Sequence, residues 1–207
     1  MNNLISWIKA SRLRTLPLAA ACVMVGGAIS HEKAMNSKFL ASQYWPLFWA
    51  ILTTVVLLQV LSNWANDLGD FSHGVDGEDR QDRAVASWRI SAQSMKRAIR
   101  VLGIWTFLIG IATVYFSMHH DGSFALVMLM ISLGVLAIFA AYRYTAGKNP
   151  YGYHGLGDLM VMTFFGWIGV AGTAFLLTHS WEWSWLLPGC ISMFISTIIY
   201  LIAQKTS

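Results

Sequence analysis

Long apolar runs alternate with short polar segments along this chain of 207 residues. A run near 20 residues is long enough to cross the hydrocarbon core of a bilayer as a helix. Before the first run, Leu4, Ile5, Trp7 and Ile8 alternate with polar positions, which predicts a short helix lying on the membrane with Trp7 at headgroup level. The pattern predicts an all-α membrane protein of about six transmembrane helices in a single domain, residues 1–207. The runs occupy approximately residues 16–30, 46–65, 99–118, 124–142, 158–178 and 183–203.

Composition supports this class, because 56% of the residues are hydrophobic and only 12% are charged, unlike an ordinary soluble domain. Cys22 and Cys190 both lie in apolar runs, so they are interpreted as small core residues and not as a disulfide or a metal site. The first run is short and rich in small residues. Its Gly26 and Gly27 would let another helix approach closely, as in many membrane bundles.

The basic residues are distributed unevenly between alternate loops. Only two basic residues, Lys33 and Lys38, lie on one side of the predicted bundle. The connections at 119–123 and 179–183 lie on this same side. The tryptophans at 181, 183 and 185 are interpreted as an aromatic belt at this membrane interface. The positive-inside rule therefore predicts that both termini and the loops 66–98 and 143–157 are cytoplasmic. The predicted cytoplasmic side holds Lys9, Arg12, Arg14, Arg80, Arg83, Arg89, Lys96, Arg97, Arg100, Arg143, Lys148 and Lys205.

The second apolar run ends in a stripe of polar side chains. If the helix continues, Gln59, Asn63, Asn66 and Asp70 stand at i, i+4, i+7 and i+11 and share one face, with Asp67 beside them. Polar groups on an apolar membrane helix are costly and by default indicate function. Their oxygens are hard ligands, and Mg²⁺ commonly uses one or two carboxylates together with the oxygens of a bound phosphate.

The acidic residues that follow have two interpretations. Asp76 with Arg80, and Asp79 with Arg83, form i,i+4 pairs that any solvated helix would carry. We prefer this structural interpretation for Glu78 and Asp79. Asp76 remains a candidate third ligand for Mg²⁺ beside Asp67 and Asp70.

The loop at 143–157 faces the same predicted side and combines glycines, tyrosines and one lysine. Tyr144 offers an aromatic face to a cation, and Lys148 offers a compact charge to a phosphate. A structural turn at Asn149-Pro150 explains much of the same pattern. Together with the acidic stripe and the apolar walls, the loop favours a substrate that has a diphosphate head and a long hydrocarbon tail.

These motifs resemble those of the UbiA-type intramembrane prenyltransferases, in the form typical of members that prenylate 1,4-dihydroxy-2-naphthoate. The resemblance covers most of the chain. Leu13 departs from it, because the family usually has proline there. The matching segments are Arg12-Leu13-Arg14-Thr15-Leu16-Pro17, Asn66-Asp67-Leu68-Gly69-Asp70-Phe71, Gly74-Val75-Asp76, Asp82-Arg83, the Tyr144-to-Lys148 spacing, Tyr153-His154-Gly155-Leu156-Gly157-Asp158 and Phe164-Phe165-Gly166.

The resemblance implies a bacterial inner-membrane enzyme that transfers a polyprenyl group from polyprenyl diphosphate to 1,4-dihydroxy-2-naphthoate, with decarboxylation to demethylmenaquinone. It implies that Asp67, Asp70 and Asp76 hold Mg²⁺ and that Asp67, Asp70 and Lys148 are catalytic. Substrate contacts are expected from Arg12, Asn63, Asn66, Arg83, Tyr144 and Lys148. The lipid bilayer is an expected partner and nucleic acid is not.

Family members have about nine membrane helices and a second Asp-rich motif, whereas this sequence offers about six helices and one such motif. We therefore expect a C-terminally shortened domain that has little or no activity alone. Alternatives are 4-hydroxybenzoate as the acceptor, or an inactive remnant. A transporter is disfavoured because the third, fourth and sixth runs have almost no polar groups near the bilayer midplane.

Overall fold

The computed structural model describes residues 2–72, 90–119, 124–144, 160 and 162–191. All regular secondary structure in these residues is helical, which confirms the all-α class. Short 3₁₀ turns lie at Leu13–Thr15 and Trp183–Trp185, and a π-helix spans Met162–Ala171. The α-helices are α1 Asn2–Ala10, α2 Leu16–Met35, α3 Lys38–Ser72, α4 Ala92–Met118, α5 Phe124–Arg143 and α6 Gly172–Thr178.

Four segments are long and apolar enough to cross a membrane: 4–35, 38–72, 92–118 and 124–143. The fifth predicted run corresponds to a shorter apolar stretch, Thr163–Thr178, and most of the sixth lies outside the described residues. The molecule is therefore a multi-pass membrane protein.

Two helices extend beyond their predicted runs. α2 continues through His31 and Glu32 to Met35. α3 has 35 residues, including Pro46 in its interior, and so measures about 50 Å. This exceeds the ~30 Å of hydrocarbon, so at least one end of α3 projects beyond the apolar layer.

Contacts between distant segments define one end of the bundle. Lys33 at the end of α2 forms an ion pair with Glu182, with 2.6 Å between Nζ and Oε1. Near the end of α4, Ser117 donates a hydrogen bond to the carbonyl of Leu176 at 2.6 Å. The ends of α2, α4 and α6 therefore meet, as the alternating loops predicted. Which end faces the cytoplasm remains a prediction.

The aromatic belt prediction is wrong for one of its three tryptophans. Trp181 and Trp183 are exposed, but Trp185 is buried, and Lys33 Nζ lies 5.7 Å from its ring centroid. Trp185 belongs to the core because it forms a buried cluster with Ala171, at the end of the π-helix, and Ala174 of α6. At the other end of the bundle, Trp7 turns inward against Trp64.

Close backbone contacts hold α2 in the bundle, as its small residues predicted. A Cβ atom on Gly26 would lie 2.5 Å from the carbonyl oxygen of Val170 in the π-helix. One on Gly27 would lie 2.8 Å from the ring of Phe48 in α3. Tyr44 adds a hydrogen bond from its hydroxyl to the Gly27 carbonyl at 2.9 Å. Only glycine fits at these positions without displacing a neighbour.

Candidate functional site

The polar stripe lies on the last four turns of α3. The helix continues without interruption to Ser72, so the predicted alignment of the stripe on one face is confirmed. Asn63, Asp67 and Asp70 are only 3%, 2% and 6% exposed, and Asn66 is half-buried. Placing two carboxylates in a buried position is costly, and such groups are retained in membrane helices mainly for function.

The first half of the stripe, Gln59 and Asn63, binds the segment that connects α1 to α2. Asn63 donates from Nδ2 to the Ser11 carbonyl at 2.9 Å and to Thr15 Oγ1 at 3.0 Å. Gln59 donates to Asn63 Oδ1 and to Thr15 Oγ1, both at 3.3 Å. Both amide hydrogens of Asn63 are thus used within the protein. We call Gln59, Asn63, Ser11 and Thr15 the N-terminal clamp.

Aromatic packing by Trp64, the residue after Asn63 on α3, strengthens this attachment. Trp64 donates from Nε1 to Ser11 Oγ at 3.1 Å, and its ring meets that of Trp7 edge to face at 5.0 Å between centroids. Ala10 and Leu61 belong to the same buried cluster. Consequently α1 exposes Leu4, Ile5 and Ile8, the residues expected to contact the membrane surface.

Arg12 forms the corner between the two N-terminal helices. Its backbone is in the left-handed region (φ 46°, ψ 61°), which costs a non-glycine residue about 1–2 kcal/mol. Three hydrogen bonds hold this corner: the Arg12 amide donates to Lys9 O at 3.0 Å, and the Thr15 amide and hydroxyl donate to Arg12 O at 2.8 and 2.9 Å. The guanidinium Nη2 atom is buried. Arg12 is therefore fixed next to the clamp, and its predicted contact with substrate remains a prediction.

Sequence reasoning missed the clamp partners Ser11 and Thr15. A signal was present: buried amides on α3 require partners, and two small hydroxyl residues flank Arg12 and Arg14 at the start of α2. The sequence did not indicate that Asn63 would use its amide to position the N-terminal segment. This position gives Asn63 a structural task, whether or not it also contacts a substrate.

The second half of the stripe, Asp67 and Asp70, carries two carboxylates, which are hard oxygen groups. Asp67 and Asp70 are three residues apart on α3 and lie on neighbouring positions of one face. Within residues 2–72, 90–119, 124–144 and 162–191, no group of three or more His, Cys, Asp or Glu residues could hold a metal ion. Two buried carboxylates alone still fit a Mg²⁺ ion, because this metal is commonly held by one or two carboxylates plus substrate phosphates.

The remaining predicted site residues are distributed as follows. Tyr144 is half-buried directly after the end of α5. Asp76, Arg83 and Lys148 lie outside the described residues, so their roles stay predictions.

A model of the UbiA prenyltransferase family matches residues 15–206, a range that contains the clamp residue Thr15 and the whole stripe. The chain belongs to this family. It is 37% identical over 201 residues to 1,4-dihydroxy-2-naphthoate octaprenyltransferase of Haemophilus influenzae, covering 93% of this chain and 61% of the relative. It is 36% identical over 196 residues to the Escherichia coli protein of the same name, covering 94% of this chain and 60% of the relative.

A third relative with that name, from Mycobacterium tuberculosis, is 30% identical over 185 residues, which are 88% of this chain and 58% of the relative. The chain thus spans about 60% of the length of these UbiA family members. No solved structure matches it.

Proposed function

We propose that this UbiA family member takes part in transferring a polyprenyl group from polyprenyl diphosphate to an aromatic acceptor, with Mg²⁺ as the metal. The observation that carries the proposal is the pair of buried carboxylates, Asp67 and Asp70, on one face at the end of a membrane-spanning helix. In an apolar bundle such a pair is costly to maintain, and ionisable groups in membrane helices by default indicate a functional site.

The site residues have distinct tasks in this proposal. Bound Mg²⁺ would neutralise the diphosphate and stabilise the charge that develops as this group departs. Asp67 and Asp70 would hold the metal, with Asp76 as a third ligand and Asn66 in support. Their helix fixes the carboxylates before substrate arrives, so little reorganisation is needed during the reaction.

Residues from other segments would complete the site. Lys148 and Arg83 are proposed to bind phosphate oxygens, and Tyr144 to place an aromatic face near the prenyl cation. Arg12 would add a cation from the corner that the N-terminal clamp fixes. The apolar bundle would exclude water from the reactive carbon, while the acceptor ring forms the new carbon–carbon bond.

We propose 1,4-dihydroxy-2-naphthoate as the acceptor, with loss of its carboxylate as CO₂ and formation of demethylmenaquinone. The names of the H. influenzae, E. coli and M. tuberculosis relatives support this acceptor over 4-hydroxybenzoate. The proposed location is the bacterial inner membrane, with the acidic end of α3 on the cytoplasmic side. The excess of Lys and Arg at that end supports this orientation.

Activity is best tested in a chimera, because the relatives are longer than this chain. Residues 1–207 would replace the matching part of the E. coli relative, and the purified chimera would be reconstituted with Mg²⁺, octaprenyl diphosphate and 1,4-dihydroxy-2-naphthoate. Prenylated product would be quantified by mass spectrometry. We expect Asp67→Asn and Asp70→Asn each to lower turnover by about 10²–10³-fold, the typical cost of losing a contact to developing charge.

Two acidic residues outside the stripe serve as controls. Glu32→Gln changes an exposed carboxylate at the opposite end of the bundle, and Asp79→Asn changes a member of a predicted surface ion pair. Both variants should retain nearly full turnover. Equal losses for all four variants would contradict the assignment of the metal to Asp67 and Asp70, and product formed only from 4-hydroxybenzoate would contradict the acceptor.

A further inference from the structure

A second candidate site lies on the other side of α3. A groove of about 690 Å³ runs between α3, α4 and α5, which is within the usual range for ligand clefts. On α3 it is lined by Leu61 and Leu68, which project about 180° and about 160° from Asp70, and about 120° and about 100° from Asp67, at 3.6 residues per turn. The groove is therefore separate from the acidic stripe.

The lining of this groove is apolar except at one end. Gly103, Ile104 and Phe107 of α4 form much of its length, and Lys96 and Arg100 lie at its mouth. Both cations are exposed and stand one helical turn apart. Arg100 Nε donates to the Lys96 carbonyl at 3.4 Å, which directs the guanidinium towards the start of α4. No described carboxylate lies within ion-pair distance of either cation.

The length of the groove indicates which kind of ligand fits it. From Lys96 to Phe107 the groove follows 11 residues of α4, or about 16 Å, which is half of the ~30 Å hydrocarbon core. It therefore extends from the helix end to the middle of the bilayer, the depth of one leaflet. A lipid with its headgroup at the mouth would place an acyl chain against the apolar lining.

We propose that this groove binds an anionic phospholipid of the leaflet at the N-terminal end of the molecule, with its phosphate at Lys96 and Arg100. Juxtamembrane cations typically strengthen the attraction to anionic lipids about fivefold each, so the pair should give about 25-fold preference over a zwitterionic lipid. The occupant is a bilayer lipid, distinct from the prenyl substrate of the acidic stripe.

The test measures lipid retention by the whole chain. The protein would be purified in detergent, stripped of lipid, and titrated with dioleoylphosphatidylglycerol or dioleoylphosphatidylcholine, and the bound lipid would be counted by native mass spectrometry. We expect a first phosphatidylglycerol to bind about 25-fold more tightly than phosphatidylcholine. The double substitution Lys96→Gln with Arg100→Gln should reduce this preference to less than threefold.

Arg97→Gln is the matched control, because Arg97 is an exposed cation on the same turn of α4 but does not line the groove. It should keep the full preference for phosphatidylglycerol.

A second variant tests the apolar part of the groove. A Cβ atom on Gly103 would meet only Leu61 Cδ1 at 3.9 Å, so Gly103→Leu can be accommodated while its side chain fills the groove. It should weaken retention of phosphatidylglycerol at least fivefold.

Three results would overturn the proposal. The first is equal retention of both lipids by the unmodified chain. The second is the same loss of preference in Arg97→Gln as in the double variant. The third is stoichiometric displacement of phosphatidylglycerol by geranylgeranyl diphosphate in the Asp67→Asn variant, which would make the groove a prenyl site.

Discussion

Removing the Asn63 side chain should release the N-terminal segment from α3. Asn63→Ala eliminates hydrogen bonds of 2.9 and 3.0 Å to Ser11 and Thr15 and the 3.3 Å bond from Gln59. Buried groups that lose a partner typically cost about 1–3 kcal/mol, although hydrogen bonds between membrane helices average nearer 0.6 kcal/mol. With three bonds lost, we expect a change of about 2 kcal/mol, or about 30-fold in the population of the released segment.

Cysteine accessibility measures this population directly. Ser6 of α1 is 6% exposed, so Ser6→Cys places a nearly isosteric thiol that a maleimide reaches only when the segment leaves α3. The native Cys22 and Cys190 would first be replaced by alanine. In this background Asn63→Ala should increase the labelling rate of Cys at position 6 by about 10–30-fold.

Thr53→Ala is the control for this experiment. Its hydroxyl bonds only to the carbonyl of Trp49 within α3, at 2.8 Å, so its removal leaves the N-terminal segment untouched. The labelling rate should then stay within about twofold, as expected for an exposed substitution worth less than 0.5 kcal/mol. An unchanged rate in Asn63→Ala, with the protein folded, would refute the idea that the clamp holds the segment.

Three further predictions concern stability, each measured as the thermal unfolding midpoint in one detergent. Gly26→Leu should lower the unfolding midpoint strongly, because a Cβ atom at this position already lies 2.5 Å from the Val170 carbonyl oxygen. Gly134→Leu should leave the midpoint nearly unchanged, because no atom lies within 4 Å of a Cβ atom at that position. Equal shifts in the two variants would contradict this packing. Lys33→Gln should lower the free energy of unfolding by less than about 1 kcal/mol, because both side chains of its ion pair are 44% exposed. A larger loss would mean that the contact of the Lys33 cation with Trp185 dominates. The Arg12→Ala variant should be less stable than Arg12→Gly by about 1 kcal/mol. Both substitutions remove the guanidinium, but only alanine keeps a Cβ atom on a backbone in the left-handed region. The opposite order of stability would show that the backbone of this corner relaxes.

The parts of the fold that depend on helical periodicity were predictable. The stripe from Gln59 to Asp70 follows a 3.6-residue period, and the structure keeps all of it on one uninterrupted helix. The end of α2 was not predictable from hydropathy, because His31 and Glu32 interrupt the apolar run while the backbone remains helical. Ser30 adds local bonds to the Gly26 and Gly27 carbonyls, and the helix continues to Met35.

Features that depend on partners distant in sequence could not be derived from local patterns. Trp185 has the same local context as Trp181 and Trp183, and its contacts with Ala171, Ala174 and Lys33, all distant in sequence, distinguish it. The clamp likewise joins Asn63 to Ser11 across 52 positions. A pattern of polar residues on α3 indicates that partners exist, but it does not identify them.

The two halves of the stripe explain why one helix face carries both amides and carboxylates. Gln59 and Asn63 use their amides to hold the segment around Arg12, while Asp67, one helical turn after Asn63, begins the acidic half. Because the clamp fixes residues on both sides of Arg12, this corner is held within about one turn of the carboxylates. The clamp therefore ties the backbone on both sides of Arg12 to the helix that carries Asp67 and Asp70.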